Sequence, residues 1–124
     1  MRRVKLLVAS RIEVDRDLIR HFLRSEGYEL CFALSGADAL DLLRYNPGFD
    51  LVIADVSLPG PGGGDISFAI RKADKYIPLI GMTAFPLDWL LKQNIGSGLD
   101  AWLLKPFTRE VLEGVIWKAM VRVA

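Results

Sequence analysis

Cysteine is almost absent from this chain. Cys31 stands alone among 124 residues, so no internal disulfide can staple the fold, and nothing points to an oxidising compartment. Long apolar runs are missing too: none approaches the roughly eighteen residues a bilayer-spanning helix needs. A surplus of one charge is also lacking, since 16 Lys and Arg face 15 Asp and Glu for a net charge of +1. Bulk electrostatics therefore offers no attraction for nucleic acid or an acidic surface. Met1-Arg2-Arg3 is too short a basic tract to act as a targeting signal, and no signal-peptide pattern follows it, so a cytoplasmic location away from membranes is expected. Internal repeats and linkers are absent, and the one compositionally biased stretch is Pro59-Gly60-Pro61-Gly62-Gly63-Gly64. Three consecutive glycines are costly to order, which predicts a mobile loop.

What is present is an ordinary globular composition, 52% apolar and 25% charged, in a length that suits one domain over residues 1–124. Five short apolar segments read as strands: Val4 to Ala9, Tyr28 to Ala33, Leu51 to Asp55, Ile77 to Met82 and Ala101 to Leu104. Between them lie helical patterns. From Val14 to Glu26, Leu18, Ile19, Phe22 and Leu23 recur at three- and four-residue spacings, with Gly27 as the stop. Ser35 with Asp38 resembles a helix start ahead of Ala39, Leu40, Leu42 and Leu43, and Ile66 to Lys72 forms a short helix. Pro86 opens a fourth that carries Trp89, Leu90 and Leu91, ended by Gly96-Ser97-Gly98. Thr108 caps a fifth, with Val111, Leu112, Val115, Ile116 and Ala119 on its inner face. Strict alternation of strand and helix predicts an α/β fold, a parallel sheet covered by helices on both faces with right-handed crossovers.

Asp55 is the anomaly in this pattern. A carboxylate closing the unbroken run Leu51-Val52-Ile53-Ala54 is costly to bury without partners, which suggests a site. Thr83 and Lys105 fall at the ends of the next two strands. In a parallel sheet those ends share one edge, so a carboxylate, a hydroxyl and an ammonium can converge on one crevice and suit a small oxyanion. Singly, each has a plainer reading, as turn residue, helix cap and solvated strand end.

Ala54-Asp55-Val56-Ser57-Leu58-Pro59-Gly60, Thr83-Ala84 and Lys105-Pro106-Phe107, with Gly27-Tyr28 and Ser35-Gly36-Ala37-Asp38-Ala39-Leu40 between, resemble the receiver domain of two-component response regulators along the whole chain. The resemblance implies a flavodoxin-like three-layer fold of five parallel strands in the order 2-1-3-4-5 with five helices, and a phosphorelay signalling role rather than that of an enzyme. It implies that Asp55 is the phosphoacceptor, taking a phosphoryl group from a sensor histidine kinase or phosphotransfer protein. Thr83 would hydrogen-bond the acyl phosphate, Lys105 would pair with it ahead of a cis peptide at Pro106, and Thr83 with Trp102 would form the switch that reshapes the fourth helix and fifth strand. His21, among arginines, reads as a solvated residue and not as a phosphoacceptor.

One departure qualifies this. Receivers usually carry two acids after the first strand that hold Mg²⁺ with the acceptor, and this chain has Ser10 and Arg11 there. A metal site left with Asp55 and the carbonyl of Ser57 should hold Mg²⁺ weakly or not at all. Glu13 and Asp15 follow, but a loop and first helical turn are expected to keep them out of reach, while Arg11 either pairs with Asp55 and stands in for the missing cation or points into solvent as long basic side chains usually do. Two hypotheses follow: a working phosphoacceptor with an altered Mg²⁺ site, or a pseudo-receiver that binds partners without phosphorylation. Ser10 and Arg11 favour the second. A nucleotide- or flavin-binding enzyme is disfavoured, because no phosphate-cradling glycine loop follows the first strand. Trp89, Leu90 and Leu91 cannot all face inward at about 100° per residue, so with Phe85 and Trp102 they predict a face for a downstream partner or a homodimer, with Trp117 read either as part of that face or as core edge.

Overall fold

The computed structural model describes residues 3–24 and 27–123. Its strands are β1 (Val4–Ala9), β2 (Tyr28–Ala33), β3 (Leu51–Asp55), β4 (Leu79–Thr83) and β5 (Ala101–Leu104), alternating with α1 (Glu13–Phe22), α2 (Gly36–Tyr45), α3 (Ile66–Ala73), α4 (Leu87–Lys92) and α5 (Arg109–Val123). All strands pair in parallel, in the order β2-β1-β3-β4-β5. This is the flavodoxin-like arrangement expected from the sequence.

Two apolar layers explain why the sheet is covered on both sides. Successive strand residues point to opposite faces, so Leu6 and Val8 join Ile19 of α1 and Leu112, Ile116 and Ala119 of α5 in one core. Leu7 and Ala9 join Ala39 and Leu40 of α2 and Ile66 and Ile70 of α3 in the other. β3 and β4 are buried along their entire lengths, as strands in the middle of a doubly covered parallel sheet must be. Each fully buried Leu or Ile there contributes roughly 1.5–3 kcal/mol relative to exposure.

Several boundaries differ from the sequence reading for identifiable reasons. α1 ends at Phe22 because the buried Leu23 takes the C-cap with φ −108° and ψ 20°, outside helical values, although its N–H still donates to the carbonyl of Ile19; part of the longer helix expected there, residues 25 and 26, lies outside the described residues. β4 begins at Leu79 because Pro78 has no N–H to give a ladder. Val111 is exposed, since it sits beside the stripe formed by Leu112, Ile116 and Ala119 and not on it. Ser35 does cap α2, accepting the N–H of Asp38 at 3.0 Å.

The glycine-rich segment after β3 closes on itself. Pro59 and Asp65 form an isolated bridge, Gly60 N–H donates to the Gly64 carbonyl at 3.1 Å, and Gly63 N–H donates to the Gly60 carbonyl at 2.9 Å. Gly62, Gly63 and Gly64 all take positive φ (79°, 88° and 85°), which accounts for three glycines in a row. Asp65 then caps α3 through the N–H of Ser67 at 2.9 Å and also accepts the N–H of Gly96 at 2.7 Å.

Candidate functional site

The parallel register brings the expected strand ends to one edge. Asp55 is the last residue of β3, level with Met82, and Thr83 follows it at the end of β4, level with Leu104. Lys105 is the next residue after β5. Its backbone N–H donates to the carbonyl of Thr83 at 2.8 Å, which extends the strand alignment one step, and the Lys105-Pro106 peptide is cis.

Asp55 is 2% exposed, and both of its oxygens are engaged. Oδ2 accepts from Lys105 Nζ at 2.9 Å. Oδ1 accepts from the N–H of Ser57 at 2.9 Å and from its hydroxyl at 2.7 Å. Three donors, one of them cationic, supply the partners that a buried carboxylate requires.

The second carboxylate at Lys105 belongs to Asp15, and this was not anticipated. Asp15 lies in the first turn of α1, is 9% exposed, and also accepts from Lys105 Nζ. The signal that reveals it is helical phase: Asp15 precedes Leu18, Ile19 and Phe22 by three, four and seven residues, the same stripe that faces the sheet. Glu13 is exposed. Burial alone would lower the Lys105 pKa, but hydrogen bonds and charge from Asp15 and Asp55 outweigh it and leave the ammonium above its usual range.

Of the two readings of Arg11, the solvent-facing one holds, and no pair with Asp55 forms. Arg11 is exposed, and Lys105 and Ser57 already satisfy the Asp55 carboxylate. The turn that carries Arg11 is pinned from both sides: Ser10, fully buried, accepts the N–H of Ile12 on Oγ at 3.1 Å, and its carbonyl accepts from Arg16 Nη1 at 3.0 Å. Thr83 is buried at the strand end, where its hydroxyl accepts the N–H of Phe85 at 2.9 Å and so closes the turn into α4. Among the described residues, no group of three or more His, Cys, Asp or Glu is placed to hold a metal ion.

On the neighbouring surface, Leu90 is the buried residue of α4, while Trp89 is 45% exposed and stacks at a tilt on exposed Phe85, ring centroids 5.3 Å apart. Leu91 and Leu104 are also exposed, and Trp102 is half-buried beside Gly96. Trp117 does not extend this face. It is 69% exposed and lines a cleft with Val4 and Tyr28, near the starts of β1 and β2. His21 is solvent-exposed. No described helix is long and apolar enough to cross a membrane.

Comparison with known proteins agrees with this geometry. Residues 7–116 match the family model for the response regulator receiver domain. The sensor histidine kinase RcsC of Salmonella typhimurium is 34% identical over 108 residues, covering 87% of this chain, and its counterpart in Escherichia coli is equally similar. The chain spans only 11% of the length of these curated relatives. Among solved structures, the signal receiver domain of an HD domain-containing protein from Pseudomonas fluorescens superposes with a TM-score of 0.83 at 27% identity, covering 98% of this chain and 90% of that one. A receiver domain protein from Clostridium thermocellum gives 0.80 at 28% identity, covering 96% and 95%. With the strand order, the shared strand-end edge and the matched motifs in agreement, the chain belongs to the response regulator receiver domain family of two-component systems.

Proposed function

We propose that this receiver domain acts in two-component signalling as a protein-contact module, with Asp55 in the phosphoacceptor position and with little or no Mg²⁺ support for phosphorylation. The observation that carries this reading is the position of Lys105 Nζ between the carboxylates of Asp15 and Asp55. Phosphoryl transfer requires dense positive charge around the transferring group. Here one ammonium supplies it, already shared between two carboxylates, and the donor set left for a metal is two acids and the carbonyl of Ser57. With the Lys105 ammonium held on both acids, that set does not fit an ion demanding near-octahedral oxygen coordination. Attack by Asp55 would also require an oxygen to be released from Lys105 or Ser57. The output surface is then the α4–β5 face, where Phe85, Trp89, Leu104 and Trp102 offer aromatic and aliphatic area to a downstream protein or a second copy, and the upstream partner is a sensor histidine kinase or phosphotransfer protein.

The competing reading, a working phosphoacceptor, draws its support from Thr83 and Lys105 at the same sheet edge as Asp55. Incubation with a small-molecule phosphodonor, with and without Mg²⁺, read by intact mass, separates the two. The contact-module reading expects no stoichiometric gain under either condition. A full gain of one phosphoryl group that requires Mg²⁺ and disappears in Asp55→Asn would overturn it.

A further inference from the structure

In this chain the cation beside Asp55 is a side chain, and its placement depends on an acid delivered by α1. Lys105 Nζ carries three protons and no acceptor, and two of its donors go to Asp55 and Asp15. Asp15 cannot drift away easily, because the β1–α1 turn before it is held by Ser10 Oγ on the N–H of Ile12 and by Arg16 on the Ser10 carbonyl. The helical stripe of Ile19 and Leu23, both buried, presses the same face of α1 onto the sheet. We propose that Asp15 is a positioning residue which seats the Lys105 ammonium between the two carboxylates, so that the domain carries its own internal cation and excludes a divalent metal from that place.

The physical basis is competition for one position. An ammonium is a compact point charge, here bonded to both carboxylates, and a divalent ion entering between Asp15 and Asp55 would have to displace it or sit against it. Removing the ammonium leaves the two carboxylates that had met on it, a pair of hard oxygen donors. This proposal rests on reading the Asp55 edge as the functional site, but it makes a claim about metal affinity that is independent of phosphorylation.

The test is titration of Mn²⁺ and of Mg²⁺ into the purified chain, followed by calorimetry. Wild type should show no saturable binding. Lys105→Met should bind Mn²⁺ at least about tenfold more tightly than the upper limit the titration sets for wild type, the scale on which groups around a metal alter its affinity, Lys105→Arg should remain non-binding, and adding Asp15→Asn to Lys105→Met should abolish the gain. Equal metal affinity in wild type and Lys105→Met, or a gain that survives loss of Asp15, would overturn the proposal. A second measurement does not depend on Lys105→Met folding: reductive methylation of Lys105, followed by peptide mass. Asp15→Asn should speed it several-fold by releasing the amine, and Asp15→Glu should restore protection; an unchanged rate in Asp15→Asn sinks the assignment. Failure here with an unmodified chain in the phosphodonor assay would remove the role of Asp15 alone, whereas Mg²⁺-dependent phosphorylation of wild type would remove the contact-module reading.

Discussion

The ring of Trp102 lies against the backbone of Gly96 so closely that a Cβ there would come within 2.7 Å of two ring carbons. Gly96 also has φ +83°, a conformation that side chains resist. The aromatic of β5 is therefore set by a glycine in the loop that follows α4. Gly96→Ala combines strain with overpacking and should cost about 1–3 kcal/mol of stability. A denaturant midpoint measured alongside tryptophan emission checks this, since Trp89 and Trp117 are more exposed than Trp102 and a shift should come mainly from the latter.

Asp65 divides its carboxylate between two loops, capping α3 with Oδ1 and holding the Gly96 N–H with Oδ2. Asp65→Ala should lose both, at about 1–3 kcal/mol, the range for a cap plus an unsatisfied donor. Amide hydrogen exchange at Gly96 should accelerate more than at residues in the centre of β4; equal acceleration at both would indicate general loosening instead.

Stability should decline in alkali through two groups. The Lys105 pKa is raised, the carboxylates of Asp15 and Asp55 outweighing burial, and the Tyr28 pKa is raised by burial first and by the charge of Glu113 second. Both hold their protons in the folded chain at pH values where the unfolded chain sheds them, so the folded state binds more protons and stability falls as pH rises past about 10. Below that window these two groups leave stability independent of pH. Urea midpoints between neutral pH and pH 11 test it, and Tyr28→Phe should flatten part of the alkaline decline without altering the neutral value greatly.

Trp89→Ala should leave the fold intact, changing stability by no more than about 0.5 kcal/mol as for an exposed side chain. It should weaken self-association or capture by a signalling partner if the α4–β5 face is the output surface. Analytical ultracentrifugation and a partner-binding titration provide the measurement, and unchanged behaviour in both would count against that face.

Much of this could be read from residue order. Buried apolar runs and their spacing gave β1, β2 and β5 to the residue, and the Asp55 edge followed from strand ends in a parallel sheet. The partner of Asp55 did not follow in the same way. Arg11 was adjacent in motif order, and Lys105 was read as a ligand for phosphate, but side-chain direction decides such pairings, and position along the chain does not report it. Asp15 shows the difference most clearly. Counted by its distance from the strand end it falls in the first helical turn, past the metal position, whereas counted by helical phase it belongs to the buried stripe of Ile19, and only the second count describes where it points.

The ion pair of Lys105 with Asp15 joins residues 90 positions apart. A domain generally folds as a unit during synthesis, and this one lacks an edge strand of its sheet until β5 has been made. Until β5 is added at the sheet edge, the carboxylates of Asp15 and Asp55 have no ammonium to share. The last strand thus brings the counterion with it, and a chain released before Lys105 would lack the ammonium that Asp15 and Asp55 share in the finished domain.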